Sequence, residues 1–195
     1  AYVRRLLMNF TVDLHVWFWI PEAPMAQHER EDKVEYSDWH RKGFVRSTPG
    51  DMADYLIIFD EFSREILPAF AAAGSPVQEI GFDPANAGGF IQSLQATGIP
   101  AVEVQQTVVQ MSDPAKLMKA LVLSKRLRQD GNPCLRWNAA NAVAREDKKE
   151  NIFVHKPQER KRIDGVIAGI IALNRLMNMG PPARGAYDDR KPMMV

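Results

Sequence analysis

The sequence contains a single cysteine, nearly equal numbers of acidic and basic residues, and no long hydrophobic run. The single cysteine, Cys134, excludes a disulfide framework and a zinc site built from several thiolates, and it favours a reducing compartment over secretion. A formal net charge of +1 excludes a histone-like polycation and an acidic disordered chain. The apolar run Leu6-Leu7-Met8 is much shorter than the roughly 20 apolar residues of a membrane span. We therefore expect a soluble protein that does not contact a membrane.

The sequence does contain enough apolar residues for one sizeable core, since 46% of its 195 residues are hydrophobic. We expect one domain over residues 1–180 and a disordered tail over residues 181–195, because no hydrophobic period follows residue 180. Residues 51–110 hold eight acidic residues and one basic residue, whereas residues 113–163 hold thirteen basic and six acidic residues. An acidic middle is therefore followed by a basic segment.

The hydrophobic periodicity predicts alternating helices and strands. Apolar runs over residues 2–10 and 14–20, joined by Thr11-Val12-Asp13, predict an N-terminal β-hairpin. Helices are predicted within 21–42, over 54–72, around 86–96, from Ser112 to Arg128, from Asn132 to Ala142 and from near Arg160 onward; strands are predicted over 77–82 and 101–105, and a second hairpin pairs 143–145 with 152–155. Helices and strands that alternate with short breaks predict parallel pairing in an α/β sheet.

Asp83 is the first candidate site residue. It follows the strand predicted over residues 77–82, and Pro84 stops that strand. The carboxylate is therefore expected at the carboxyl edge of the sheet, where open α/β sheets bind ligands. The alternative is that Asp83 caps the helix expected at Asn86.

Asp164 is the second candidate. It falls on the apolar stripe of Ile167 and Ile171, which predicts that it faces the sheet. A lone buried carboxylate is costly unless it is paired or bound to a metal. The alternative is an ion pair with one of the nearby cations, Lys156, Arg160, Lys161 or Arg162. Two carboxylates at one sheet edge favour a hard divalent cation held by oxygen ligands.

Basic residues immediately precede Asp164 in the sequence: Lys148, Lys149, Lys156, Arg160, Lys161 and Arg162. A polyanion attracted by these residues would reach the two carboxylates, and a metal combined with a phosphate indicates phosphoryl chemistry. The alternative is a solvated hairpin and helix end without a ligand.

The histidines and the cysteine give weaker signals. His155 and the other histidines are scattered without a His-x-x-x-His pair, so we interpret them as surface or hairpin residues rather than zinc ligands. Cys134 begins an apolar helix and is interpreted as a packing residue.

Three ordered segments resemble the nuclease domain of tailed-phage terminase large subunits. They are Ile-Gly-Phe-Asp-Pro-Ala-Asn-Ala over residues 80–87, Gly-Asn-Pro-Cys-Leu-Arg-Trp-Asn-Ala-Ala-Asn-Ala-Val over 131–143, and Arg-Lys-Arg-Ile-Asp-Gly-Val-Ile-Ala over 160–168. The resemblance extends from about Tyr2 to Leu176. It implies a ribonuclease H-like mixed sheet flanked by helices, and a metal-dependent endonuclease that cuts concatemeric viral DNA during genome packaging in the host bacterial cytoplasm.

The resemblance also implies specific roles and partners. Asp83 and Asp164 match acidic catalytic residues of the family, which bind two Mg²⁺ or Mn²⁺ ions. Lys156 lies where a basic residue precedes the closing helix in the family, and with Arg160, Lys161 and Arg162 of the basic run it is a candidate for DNA contacts. Double-stranded DNA is the implied substrate, and the terminase small subunit and the portal are the implied partners.

The sequence departs from the family pattern in two ways. The first catalytic aspartate and its strand would align before Ala1, which is not a methionine, so we expect that upstream sequence has been removed and that cleavage is weak or absent. Asp13, placed in the predicted hairpin turn, is a poor replacement ligand. No Gly-x-x-x-x-Gly-Lys-Ser/Thr motif is present, so the packaging ATPase is not expected here.

Two other functions stay open at this point. The first is a catalytically impaired remnant that binds DNA or packaging partners through residues 145–162. The second is a Holliday-junction resolvase or transposase of the same fold, against which the segment Asn132-Pro133-Cys134-Leu135-Arg136-Trp137 argues.

Overall fold

The structure is a computed structural model that describes residues 11–86, 88–158 and 160–179. Its helices are α1 (Met25–Asp32), α2 (Tyr36–Arg41), α3 (Tyr55–Glu61), α4 (Leu67–Ala72), α5 (Gly88–Gln95), α6 (Val108–Leu123), α7 (Pro133–Asn141) and α8 (Asp164–Asn178). Its strands are β1 (Val12–Leu14), β2 (Trp19–Pro21), β3 (Arg46–Thr48), β4 (Ile80–Phe82), β5 (Ala101–Glu103), β6 (Leu127–Gln129), β7 (Val143–Glu146) and β8 (Ile152–His155). The chain is therefore mixed α/β, as predicted. The predicted tail over 181–195 lies outside the described residues.

The strands pair two by two in the described part of the chain. Parallel pairs join β1 to β6, β2 to β3 and β4 to β5, and an antiparallel pair joins β7 to β8. The parallel pair of β4 and β5 and the hairpin of β7 and β8 confirm two predictions. Both have local signals, since a short helix separates β4 from β5 and a charged turn separates β7 from β8.

The predicted N-terminal hairpin is wrong within the described residues. Val12 and Asp13, expected in its turn, lie in strand β1 and pair in parallel with Leu127 and Arg128. Strand β2 pairs instead with β3. Residues 2–10 of the expected hairpin lie outside the described residues. The partner of β1 is more than a hundred residues distant in sequence, so no local turn signal could reveal this pairing.

The helix predicted over residues 54–72 is confirmed with one local departure. Asp54 is its N-cap, and the Oδ1 atom accepts from the N–H of Leu56 at 2.9 Å. A π-helical turn, Phe62–Ile66, joins α3 to α4 just before Pro68. Proline lacks an N–H and crowds the carbonyl four residues earlier. The wider π turn accommodates this proline in an otherwise continuous helix.

The helix start predicted at Ser112 is wrong. Helix α6 begins at Val108, and the side chain of its N-cap, Thr107, accepts from the N–H of Gln110 at 3.4 Å. Pro114 therefore lies inside the helix, where it cannot donate to the carbonyl of Gln110. Asn174 of α8 donates its Nδ2–H to that carbonyl at 2.8 Å. A bond between helices thus replaces the missing bond within α6.

Helix α8 begins at Asp164 rather than near Arg160. It packs against α6, α7 and β4. The contact with β4 is close at Gly81, where a β-carbon would lie 2.7 Å from Cγ of Arg175 and 2.9 Å from Cγ2 of Ile171. Only a glycine lets the strand approach the helix to this distance. This contact packs β4 against the middle and later turns of α8, and Asp83 follows two residues after Gly81.

Two hydrophobic clusters flank helix α8. The first contains Val104, Met111, Ala115, Ile152, Ile170 and Ile171, with Met118, Val154, Val166 and Ile167 packed against them. The second contains Ile20, Met25, Tyr36, Val45 and Cys134, with Phe18, Val34, Trp39 and Trp137 packed against them. The interpretation of Cys134 as a packing residue is confirmed, since it is a buried free cysteine. No helix in the described ranges is long and apolar enough to cross a membrane.

We expect Asn174→Ala to lower the free energy of unfolding by about 1–3 kcal/mol, because it leaves the carbonyl of Gln110 without its donor. Adding Pro114→Ala should recover part of this loss, since an alanine supplies the N–H that proline lacks. Urea unfolding of the parent, both single variants and the double variant measures the effect. Independent, additive effects of the two substitutions would contradict this account.

We expect the Cys134 thiol to be unreactive in the folded protein. Burial, with a smaller contribution from the negative charge of Asp164, raises its pKa to about 12. The nucleophilic thiolate is therefore nearly absent at mildly alkaline pH. Titration with a chromogenic disulfide reagent should give no reaction until denaturant is added. Rapid labelling of the folded protein would show that the thiol is accessible.

Candidate metal and nucleic-acid site

A cleft of about 590 Å³ lies between the end of β4, strand β8 and the start of α8. Asp83 and Asp164 both line it. The two acidic residues singled out in the sequence therefore share one cavity. Strand β4 delivers Asp83 as it ends, and helix α8 delivers Asp164 as it begins.

The carboxylate of Asp83 is half-buried and accepts two hydrogen bonds. Its Oδ1 accepts from the backbone N–H of Ala85 at 3.1 Å, and its Oδ2 accepts from Nε2 of Gln106 at 2.5 Å. The first bond lies at the start of the short 3-10 turn Pro84–Asn86, whereas helix α5 begins only at Gly88. Each carboxylate oxygen has two lone pairs, and the carboxylate keeps acceptor capacity toward the cleft.

The prediction that Asp164 is a buried carboxylate is wrong. Its side chain is exposed, because Asp164 is the first residue of α8 rather than part of its buried stripe. Of the cations considered as its ion-pair partner, Arg162 pairs with Asp32 instead. A carboxylate in the first turn is stabilised by the partial positive charge of the helix N-terminus.

Helix α7 fixes the backbone on both sides of Asp164. Asn138 Oδ1 accepts from the N–H of Gly165 at 2.9 Å, and Asn141 Nδ2–H donates to the carbonyl of Arg162 at 3.0 Å. Phe18 packs directly on Gly165, where a β-carbon would lie 2.6 Å from its Cζ atom. The start of α8 is therefore held against α7 and the segment before β2.

Three of the four predicted DNA-contact residues line the cleft: Lys156, Lys161 and Arg162. Arg160 is not among the residues that line it, and its Nε–H donates to Oε1 of Gln158 at 2.9 Å. The cleft thus combines two carboxylates with three cationic side chains. This arrangement can attract a phosphate while it offers oxygen ligands to a cation.

Sequence reasoning missed three residues that also line the cleft: Gln106, Phe153 and His155. Gln106 follows β5, the neighbour of β4, so the rule that ligand sites lie at the carboxyl ends of parallel strands could have found it. Phe153 and His155 alternate along β8, and their rings stack with centroids 6.2 Å apart. The Nδ1 atom of His155 is buried and has no hydrogen-bond partner within the described ranges.

Asp13 is engaged outside this cleft. Arg128 donates from Nε and Nη2 to its Oδ1 and Oδ2, at 2.6 and 2.7 Å. The hydrogen bond from Arg128 holds the pKa of the Asp13 carboxyl below its usual value. The two side chains pair across β1 and β6, which gives Asp13 a structural role there.

The donor chemistry of the cleft fits part of a divalent metal site. Mg²⁺ and Mn²⁺ prefer oxygen ligands, and Asp83 and Asp164 supply carboxylate oxygens in one cavity. Among the residues that the structure describes, no group of three or more His, Cys, Asp or Glu side chains is placed to hold a metal ion. The two carboxylates therefore fit as a minority of the ligands, and water or phosphate oxygens would complete the coordination.

Comparisons with known proteins agree on one family. The family model for the terminase large subunit, endonuclease domain, matches residues 7–179. The chain is 27% identical over 179 residues to the terminase large subunit of Enterobacteria phage HK97, which covers 91% of this chain and 34% of that protein. It is 31% identical over 166 residues to Protein YmfN of Escherichia coli strain K12, which covers 82% of this chain and 35% of that protein. The chain thus spans about a third of the length of these relatives.

A solved structure supports the same assignment. The crystal structure of the HK97 bacteriophage large terminase matches with a TM-score of 0.71 and 28% sequence identity. The match covers 80% of this chain and 32% of that chain. The chain therefore belongs to the family of terminase large subunit endonuclease domains.

Proposed function

We propose that this chain is a metal-dependent DNA endonuclease domain that cuts concatemeric viral DNA for packaging. The observation that carries the proposal is the shared cleft, where Asp83 and Asp164 lie with Lys156, Lys161 and Arg162. A ribonuclease H-like arrangement of the sheet is part of the proposal. The family membership favours a nuclease over the resolvase and transposase considered from the sequence.

The side chains of the cleft have separate roles in phosphodiester hydrolysis. Lys156, Lys161 and Arg162 attract the DNA backbone, and their charge offsets the repulsion between the carboxylates and the phosphates. Gln106 holds Asp83 through Oδ2 and so restricts the rotation of that carboxylate. Bound Mg²⁺ or Mn²⁺ on Asp83 and Asp164 would supply activation of a water for in-line attack and stabilisation of the leaving oxygen.

The wider assignments belong to the same proposal. Double-stranded DNA is the substrate, the terminase small subunit and the portal are the partners, and the host bacterial cytoplasm is the place of action.

A second candidate function is DNA binding without efficient cleavage. The observation that favours it is that, across the described ranges, no three His, Cys, Asp or Glu side chains come together at a metal-binding distance. Two carboxylates neutralise two divalent cations poorly, so metal affinity would be low. Both candidates predict salt-sensitive DNA binding, and they differ in cleavage.

We expect plasmid DNA to be nicked or cut by excess protein in Mn²⁺, and we expect Asp83→Asn and Asp164→Asn each to lower the rate by about 100-fold or more, because each removes a charged metal ligand. Agarose gel electrophoresis of the plasmid measures the rate. Mn²⁺ should also raise the melting temperature of the parent but not that of either variant, since a ligand that binds the folded state stabilises it.

Asp113→Asn is the matched control. Asp113 lies in α6, and its 59% exposed carboxylate contacts only Lys116 at 3.7 Å among the ion pairs found. This variant should cut at the parent rate. Intact plasmid together with salt-sensitive binding would select the non-cleaving function. Cleavage by Asp83→Asn or Asp164→Asn at the parent rate would contradict the ligand assignment.

A further inference from the structure

A second cavity adjoins the cleft, and Arg162 and Asp164 line both. Its volume is about 200 Å³, and Asp32, Tyr36 and Arg162 are among the residues that line it. The side chain of Asp32 is only 1% exposed. Burial of a carboxylate is costly unless partners compensate for the lost water. In the candidate site described above, this acidic group enters only as the ion-pair partner of Arg162.

Asp32 connects helix α1 to the cleft through a single oxygen. Its Oδ2 accepts from the hydroxyl of Tyr36 at 2.8 Å and from Nε of Arg162 at 3.3 Å. Its Oδ1 is buried and has no hydrogen-bond partner in the described part of the chain. One oxygen of the carboxylate therefore lacks a partner, and Arg162 is the cationic side chain paired with the other.

Tyr36 is held rigidly in this arrangement. Its ring meets Trp39 and Trp137 edge to face, with centroids 5.5 and 6.0 Å apart. Burial, followed by the hydrogen bond to Asp32, raises the pKa of Tyr36 far above its usual value. The hydroxyl therefore stays a neutral donor, and it fixes the rotamer of the Asp32 carboxylate.

Arg162 lines both cavities, and its side chain is 42% exposed. Its main-chain carbonyl is fixed by Asn141, and its Nε–H is directed to Asp32. A guanidinium held through Nε presents its two terminal nitrogens in a fork that matches two phosphate oxygens. Fixing the side chain in advance also lowers the entropy lost when a ligand binds.

We propose that Asp32 and Tyr36 are positioning residues that hold the guanidinium of Arg162 at the Asp83–Asp164 cleft for contact with a phosphate of DNA. This rests on the proposed function for its ligand, but it requires neither a metal nor cleavage. Asp32 and Tyr36 themselves do not touch the DNA.

The direction in which Asp32→Asn changes the Kd for DNA distinguishes a positioning role from a simple effect of charge. Removal of an acidic group near a DNA-binding surface weakens the repulsion of phosphates and should tighten binding. Loss of the anchor for Arg162 should weaken binding instead. We therefore expect Asp32→Asn to raise the Kd for DNA by about threefold, and Tyr36→Phe to raise it by about twofold without any change in charge.

Fluorescence anisotropy of a short labelled DNA duplex, titrated with the 195-residue chain in EDTA, tests this proposal. Arg162→Gln should weaken binding by about tenfold and reduce the slope of log K against log salt by about one. In the Arg162→Gln background, Tyr36→Phe should have no further effect and Asp32→Asn should leave binding unchanged or slightly tighter, since the residue that they position is gone. Circular dichroism and urea unfolding verify that each variant is folded.

The exposed pair of Asp13 and Arg128 provides the matched control. Its side chains are 49% and 67% exposed, and it lies across β1 and β6 rather than in the cleft. Asp13→Asn should leave the Kd unchanged or lower it slightly. If Asp32→Asn does not fold, Tyr36→Phe provides the same comparison of Kd with and without Arg162.

The outcomes are distinct. Unchanged or tighter binding by Asp32→Asn and Tyr36→Phe overturns the positioning role, and so does the same loss with and without Arg162. A parent chain that does not bind the duplex contradicts the proposed function itself. If the parent chain binds the duplex but does not cut DNA, the binding comparison still tests the positioning role.

Discussion

The hydrogen bond from the N–H of Gly165 to Oδ1 of Asn138 joins the first turn of helix α8 to helix α7. The first N–H groups of a helix have no partner within it, and a buried one must find a partner elsewhere. Asn138 is itself 2% exposed, and its Nδ2–H donates to the carbonyl of Cys134 within α7. The position of Asp164 relative to the second hydrophobic cluster therefore follows from one buried amide, and Gly165 is required because Phe18 occupies the space of a β-carbon.

Strand β4 reaches the same helix by a different route. Gly81 removes the side chain that would separate the strand from Ile171 and Arg175, and Arg175 also forms an ion pair with Glu79 just before the strand. Asp83 follows two residues later, where the strand ends. The two acidic residues thus belong to a strand end and a helix start rather than to long loops. Elements packed this closely restrict the relative movement of their side chains.

Features with a local chemical cause were predictable from the sequence, and features with a distant partner were not. Asp54 and Asn132 each cap the helix that follows, and the local sequence predicted both starts. Pro114 gave the same kind of signal and misled, because Asn174 supplies the donor that the proline removes. No local sequence pattern indicates the pairing of β1 with β6. For the site, the carboxyl end of β4 located Asp83 in the cleft, whereas the exposure of Asp164 depended on where α8 begins.

Arg162 illustrates how a site can keep opposite charges close together without neutralising them. It stands two residues before Asp164, and a direct ion pair between them would occupy the carboxylate that a cation needs and the guanidinium that a phosphate needs. Its Nε–H is directed instead to Asp32, whose side chain is only 1% exposed. Asp32 on α1 thus serves as the acidic partner of Arg162. This separation lets carboxylate oxygens and cationic nitrogens face one cleft together, which is the combination that metal-assisted chemistry on a phosphate requires.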